Sequence, residues 1–139
     1  MAKTLLLIED DKIIQNMYQK LLVNHGYDVR TAMDGEVGLK ESLEHHPDLI
    51  LLDIRMPKMD GMTMLKLLRQ DAWGKDAKVI ILTNLDPTDT ILQGVVRDHP
   101  TYYLIKASTQ FEDVLEKIKE VLEGQKQDTA SNVADVNTE

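Results

Sequence analysis

The segment 48–61 constrains the fold more than any other part of the sequence. It begins with four apolar residues, Leu49 to Leu52, a pattern typical of a strand that is buried on both faces. The run ends on Asp53, and because an unpaired carboxylate is costly to bury, we expect Asp53 at the exposed carboxyl end of that strand. Pro57 and Gly61 then predict a turn before the next helix. Asp53 is therefore the first candidate for a chemical role, and an Asp that only caps the following loop is the alternative interpretation.

Short apolar runs alternate with segments of helical periodicity along the whole chain. The patterns predict strands at 5–8, 27–32, 48–54, 78–83 and 101–105, and helices at 12–25, 34–46, 61–72, 87–97 and 111–122. Ile13 and Met17 contribute to the apolar spacing of the first helix, and Val37 is expected to face inward from the second. Gly26 is expected to end the first helix. Five strands that alternate with five helices predict an α/β fold with a doubly wound parallel sheet.

Length and composition limit the classes of protein to consider. The 139 residues suit one domain, which we place at residues 1–123, and the polar, aperiodic residues 124–139 are interpreted as a disordered tail or the start of a linker. No apolar run is long enough to cross a bilayer and the N-terminus lacks a signal-peptide pattern, which favours a cytoplasmic protein without membrane insertion. The net charge of −8 argues against direct nucleic-acid binding, and the absence of cysteine excludes thiolate metal sites.

Four of the five predicted strands end on polar residues. Glu9 and Asp10 come directly after the first strand, Asp53 lies on the third, Thr83 ends the fourth and Lys106 follows the fifth. The carboxyl ends of parallel strands meet at one edge of a sheet, so these residues are expected to form one site. Three carboxylates in one place repel each other and call for a hard cation, for which Mg²⁺ is the best candidate. A hydroxyl and an ammonium group opposite the metal would suit a phosphoryl group.

This set of residues resembles the receiver domains of response regulators in two-component signalling, in their single-domain, chemotaxis-regulator-like form. The motifs that match are the acidic pair Glu9-Asp10, Asp53 with Met56-Pro57 and Gly61 downstream, Thr83, and Lys106 three residues after Tyr103. The resemblance covers residues 3–124 and implies a flavodoxin-like sheet of five strands in the order 2-1-3-4-5, with five helices.

The resemblance also implies which residues bind the metal and the phosphoryl group. Asp53 would accept a phosphoryl group from a histidine kinase or a phosphotransfer protein. Asp10, Asp53 and the backbone carbonyl of Arg55 would bind Mg²⁺ directly, and Glu9 would act partly through a metal-bound water. Lys106 would pair with phosphoryl oxygens.

A conformational switch is the further implication of the resemblance. The Thr83 hydroxyl would bond to the phosphoryl group, and Tyr103 would turn inward as Thr83 moves. The face formed by helix 87–97, the last strand and helix 111–122 would then dock a downstream protein or a second copy of the chain. The sequence departs from the family pattern at Ala107, where proline is usual, and at Asn84, where a very small residue is usual.

Two other functions remain open at this point. The first is a receiver-like scaffold that does not depend on phosphate, which is weakened because such proteins typically lack part of the acidic pocket or the lysine. The second is a Mg²⁺-dependent phosphohydrolase. Such an enzyme would need a second carboxylate as general acid two residues after the nucleophile, and that position is Arg55. The leading interpretation is therefore a signalling switch and not an enzyme, with transfer to its own Asp53 and slow loss of the phosphoryl group.

Overall fold

A computed structural model describes residues 2–54, 56, 58–83, 102–105 and 110–123, with the backbone alone described at 83 and 102–105. The helix predicted at 87–97 and the tail predicted at 124–139 lie outside the described residues. The elements, in chain order, are β1 (Thr4–Ile8), α1 (Lys12–Asn24), β2 (Asp28–Ala32), α2 (Gly35–His45), β3 (Leu49–Leu52), α3 (Gly61–Arg69), a 3-10 turn (Gly74–Asp76), β4 (Val79–Thr83), β5 (Tyr102–Ile105) and α4 (Phe111–Leu122). No helix within these ranges is long and apolar enough to cross a membrane.

The described strands form one parallel sheet in the order β2-β1-β3-β4-β5. Leu7 of β1 lies beside Thr31 of β2 on one side and beside Leu51 of β3 on the other. The chain therefore leaves β1 in one direction for β2 and returns to the opposite side of β1 for β3. A crevice forms at such a switch point, outside the carboxyl ends of the two strands, and ligands of open α/β sheets bind there. The predicted α/β fold with a parallel sheet is confirmed.

Side chains of the central strands alternate between two apolar layers. Ile50 and Leu52 of β3 pack in the layer that contains α2 and α3, whereas Leu49 and Leu51 pack in the layer that contains α1 and α4. All four side chains are fully buried. The prediction from the run 49–52, a strand buried on both faces, is confirmed.

The helix that connects β1 to β2 is rotated relative to the most apolar stripe of its sequence. Its buried residues are Gln15, Tyr18 and Leu22, whereas Ile13 is 81% exposed and Met17 is 49% exposed. One step along a helix turns the side chain by about 100°, so Ile13 and Met17, each two residues from Gln15, lie on nearly the opposite side of the helix from Gln15. The helix is present as predicted, but the apolar spacing that includes Ile13 and Met17 does not mark its buried face.

Two further expectations about the helices need correction. Val37 of α2 is 43% exposed and does not face inward, because the buried positions of that helix are Gly35, Gly38 and Ser42. The helix predicted at 61–72 ends at Arg69. It stops early because the Asp71 carboxylate accepts the N–H groups of the two residues 73 and 74, each at 2.9 Å, and this turn competes with continuation of the helix.

The end of α1 is as the sequence predicted. Gly26 has a φ of 92°, the left-handed conformation that glycine adopts at low cost, and the Tyr27 N–H donates to the Leu22 carbonyl at 3.2 Å. The chain thereby reverses into β2 within a few residues.

Candidate functional site

Three carboxylates meet at the carboxyl edge of the sheet, where β1 and β3 end. Main-chain bonds continue the sheet one residue beyond these strands: the Glu9 N–H donates to the Ala32 carbonyl at 3.0 Å and the Asp53 N–H donates to the Ile8 carbonyl at 3.1 Å. Glu9 and Asp53 are consequently held in line with the sheet, and Asp10 follows as the first residue of the loop. The predicted juxtaposition of Glu9, Asp10 and Asp53 is present in the structure.

The carboxylates are close and largely shielded from solvent. One oxygen from each of Glu9, Asp10 and Asp53 lies within 4.8 Å of the others. Glu9 is 3% exposed and Asp53 is 8% exposed, while Asp10 is partly exposed. Two like charges 4.8 Å apart repel by roughly 3 kcal/mol at an effective dielectric constant of about 20. Oxygen donors in this number and arrangement suit a hard divalent cation, which would remove the repulsion.

Neighbouring N–H groups fix the orientation of two of these carboxylates. The Ile54 N–H donates to Oδ1 of Asp53 at 2.7 Å, and the Asp11 N–H donates to Oε2 of Glu9 at 3.1 Å. The side chain of Asp11 itself is used elsewhere, because its Oδ1 accepts the N–H groups of residues 13 and 14 at the start of α1. Of the three consecutive acids, Asp11 is therefore the helix cap, and only Glu9 and Asp10 face Asp53.

The loop from Asp53 to α3 is closed tightly by Gly61. The Gly61 N–H donates to the Ile54 carbonyl at 2.7 Å. A Cβ atom on Gly61 would lie 2.1 Å from the carbonyl oxygen of Asp53, so no side chain fits at that position. The glycine is needed here for close approach of two backbone segments, which gives the predicted turn its physical reason.

The same loop is attached to the start of α2. The Gly35 N–H donates to the Met59 carbonyl at 3.0 Å, and the Lys58 ammonium lies 3.8 Å from the Asp34 carboxylate, which also caps α2. Lys58 has a φ of 65°, a left-handed conformation that such contacts must hold in place. This link between the two loops was not predicted from the sequence.

The remaining predicted site residues are only partly within the described structure. Thr83 is the last residue of β4, one position beyond the pairing of Leu82 with Leu104, so its backbone lies at the same edge as Asp53. Tyr103 lies within β5. Arg55 and Lys106 lie outside the described residues, as do Asn84 and Ala107. Their predicted roles therefore stay predictions.

A buried glutamine near the carboxylates was not identified from the sequence. The side-chain amide of Gln15 in α1 donates to the carbonyl of Glu9 at 3.0 Å and to that of Ala32 at 3.2 Å. The available signal was a polar residue between apolar positions of a helix, which also fits an exposed face. Its position next to the acidic loop is a property of the folded structure alone.

A second group of possible ligands, Glu41, Glu44 and His45, lies on the outer surface of α2. Glu41 is already paired with Arg30 at 3.2 Å, and His45 contacts the same carboxylate at 3.6 Å. These side chains are far more exposed than the group at the sheet edge. They are consistent with an ordinary solvated helix surface, as expected for a histidine near a helix end.

Comparison with known proteins agrees with this geometry. Residues 5–119 match the family model of the response regulator receiver domain. The DNA-binding dual master transcriptional regulator RpaA of Synechocystis is 39% identical over 90 residues, which cover 65% of this chain and 37% of that regulator. The chain therefore spans little more than a third of that relative's length.

Solved structures give the same result. The CheY-like receiver domain protein of Methanospirillum hungatei superposes with a TM-score of 0.82 at 27% identity, covering 90% of this chain and 97% of that one. The receiver domain of the Pseudomonas aeruginosa sensor histidine kinase PA1611, solved with a magnesium ion in its active-site cleft, has a TM-score of 0.81 at 22% identity, covering 89% and 100%. The chain belongs to the response regulator receiver domains, which are signalling modules of two-component systems and not classical enzymes.

Proposed function

We propose that this chain accepts a phosphoryl group on Asp53 from a histidine kinase or a phosphotransfer protein in the cytoplasm, and that phosphorylation changes a protein-interaction surface. The observation that supports this most strongly is the group of Glu9, Asp10 and Asp53 at the switch point of the sheet, with oxygens within 4.8 Å of one another. The Asp53 carboxylate lies at the end of the central strand, next to the crevice, and the Ile54 N–H fixes its orientation.

The donor set fits Mg²⁺, since it consists of closely spaced carboxylate oxygens without nitrogen or sulfur ligands. Asp10, Asp53 and the backbone carbonyl of Arg55 would hold the ion, with Glu9 acting partly through water. When bound, the ion would neutralise charge on the carboxylates and on the incoming phosphoryl oxygens. The magnesium of the PA1611 receiver domain occupies the active-site cleft of a protein with this fold.

The chemical step belongs to Asp53. One of its carboxylate oxygens attacks the phosphorus atom, the bond from phosphorus to the donor's histidine nitrogen breaks, and the nitrogen keeps the electron pair. The product is an acyl phosphate on Asp53. The Ile54 N–H bound to Oδ1 restricts rotation of the carboxylate, so little orientation has to be gained during the reaction. Lys106 and the Thr83 hydroxyl would bind phosphoryl oxygens.

Signal output would use the other half of the sheet. Movement of Thr83 toward the phosphoryl group would open space for Tyr103, and such a change between two packings can alter a distant surface. The surface formed by helix 87–97, β5 and α4 would then bind a downstream protein or a second copy of the chain. In this proposal the complete domain comprises residues 1–123 with five strands and five helices, followed by a tail or linker at 124–139.

Mass spectrometry of the intact chain with a small phosphodonor and Mg²⁺ tests the proposal. The wild type should gain one phosphoryl group that persists, and Asp53→Asn should gain none. Asp48→Asn is the matched control. Asp48 is an exposed Asp directly before β3, at the opposite end of the strand from Asp53, and its carboxylate accepts the Thr4 N–H. Equal incorporation into Asp53→Asn would contradict the assignment. An unmodified wild type would indicate a scaffold, and continuous phosphate release would indicate a phosphohydrolase.

A further inference from the structure

Gln15 differs from the other buried polar side chains that the structure describes. The other buried polar or charged side chains in the described part of the chain are Glu9, Asp34, Ser42 and Asp53. Asp34 caps α2, and Ser42 bonds to the Gly38 carbonyl inside its own helix. Gln15, which is 2% exposed, instead reaches out of α1 to the ends of two strands.

The contacts of Gln15 complete the hydrogen bonding of the main chain at Glu9. The Glu9 N–H is bound by the Ala32 carbonyl, and the Glu9 carbonyl accepts from Nε2 of Gln15 at 3.0 Å. The same Nε2 donates to the Ala32 carbonyl at 3.2 Å and lies 3.3 Å from the Met33 sulfur. The hydrogen bonds between β1 and β2 end at the Glu9 N–H. The side-chain amide of Gln15 then donates to the Glu9 carbonyl, in place of a further main-chain bond.

The carbonyl that Gln15 binds belongs to the peptide group between Glu9 and Asp10. A peptide group is planar, so fixing its carbonyl also fixes the direction in which the Cα of Asp10 lies. The backbone placement of Asp10 therefore depends on this hydrogen bond, whereas Glu9 is also held by the bond from its N–H to the Ala32 carbonyl. The bond from Gln15 also opposes the repulsion among the carboxylates, which would otherwise favour opening of the loop.

We infer that Gln15 is a positioning residue that holds the Glu9–Asp10 peptide so that both carboxylates bind a divalent cation together with Asp53. The inference rests on the proposed function of this site. The amide is neutral and serves as a donor, so it orients the loop without adding a positive charge that would weaken attraction for the cation. Removal of the donor should reduce cation affinity more than it reduces the rate of phosphorylation once the cation is saturating, because bound cation would order the loop again.

Calorimetric titration of the full chain with Mg²⁺ provides the test. Gln15→Met keeps the length of the side chain but removes the donor, and we expect about a tenfold loss of Mg²⁺ affinity, the lower end of the range for groups that orient metal ligands. Ser42→Ala is the control, because it removes a buried hydrogen bond inside α2, away from the carboxylates, and should keep wild-type affinity. At saturating Mg²⁺, phosphorylation of Gln15→Met by a small donor should return close to the wild-type rate.

Two results would overturn the inference: unchanged affinity in Gln15→Met, or an equal loss in Ser42→Ala. Both are distinct from failure of the proposed function, in which the wild type itself takes up no phosphoryl group. Should Gln15→Met not fold, NMR of the wild type decides. The Gln15 side-chain amide protons should exchange slowly with solvent and shift during Mg²⁺ titration, unlike those of exposed Gln70. Rapid exchange at both glutamines would overturn the inference.

Discussion

Replacement of Gly61 by alanine should disturb the fold and the site together. The new Cβ atom would lie 2.1 Å from the Asp53 carbonyl oxygen, and Cβ atoms essentially never approach other heavy atoms closer than 3.0 Å, so the two atoms must separate by about 0.9 Å. The obstructing oxygen belongs to the main chain, so no side-chain rotation relieves the clash. The 2.7 Å bond from the Gly61 N–H to the Ile54 carbonyl resists the movement. We expect a loss of about 3 kcal/mol in the free energy of unfolding, the upper end for overpacking by one methyl group.

Urea unfolding and phosphoryl incorporation, measured on the same samples, test this reasoning. Gly26→Ala is the control, since Gly26 has a φ of 92° and nothing lies within 4 Å of an added Cβ. That variant should lose about 1–2 kcal/mol through its left-handed backbone alone and keep its phosphorylation rate. Gly61→Ala should be less stable and slower in phosphorylation even where it is fully folded, because Asp53 moves relative to Glu9 and Asp10. If Gly61→Ala matched Gly26→Ala in both measurements, the argument from close approach would be refuted.

Three further changes should have effects of known direction. Asp11→Ala should lower the free energy of unfolding by about 1 kcal/mol in urea, the usual cost of losing a helix cap, and an unchanged midpoint would count against the cap. Burial, reinforced by the Glu123 carboxylate, raises the pKa of Tyr27 above 10.0. Because the unfolded chain releases this proton at lower pH than the folded chain, the free energy of unfolding should fall as pH rises above 10. The fall should be less steep in Tyr27→Phe, and an equal fall in that variant would count against this phenol. Beryllofluoride, a phosphoryl mimic at Asp53, should shift NMR signals as far away as Val114 of α4, and shifts confined to the loops around Asp53 would contradict the proposed coupling.

The sheet and its acidic edge were predictable because they depend on strong local contrasts. The runs 5–8 and 49–52 are entirely apolar, and only a strand buried on both faces uses such a run efficiently. A charged residue directly after each run can then lie only where the strand leaves the core. The positions of Glu9, Asp10 and Asp53 follow from this rule together with the requirement that parallel strands point the same way.

The orientation of α1 was not predictable in the same way. Its sequence contains two overlapping apolar stripes, one through Ile13 and Met17 and the other through Ile14 and Leu22, and periodicity does not distinguish them. Gln15 favours the second stripe, because its amide bonds with two strand-end carbonyls when that face is turned to the sheet. The information lies in a contact between distant parts of the chain, which a local pattern does not contain.

Different hydrogen bonds hold the three carboxylates in place. Glu9 is held by the sheet and by the Asp11 N–H, Asp10 through the peptide that Gln15 binds, and Asp53 by the Ile8 carbonyl and the Ile54 N–H. These hydrogen bonds to or from the main chain lie on the β1 and β3 side of the crevice. A site built in this way is ordered before the cation or the donor arrives, so binding requires little rearrangement there. The structural change that accompanies phosphorylation should therefore occur mainly across the crevice, beyond the end of β4.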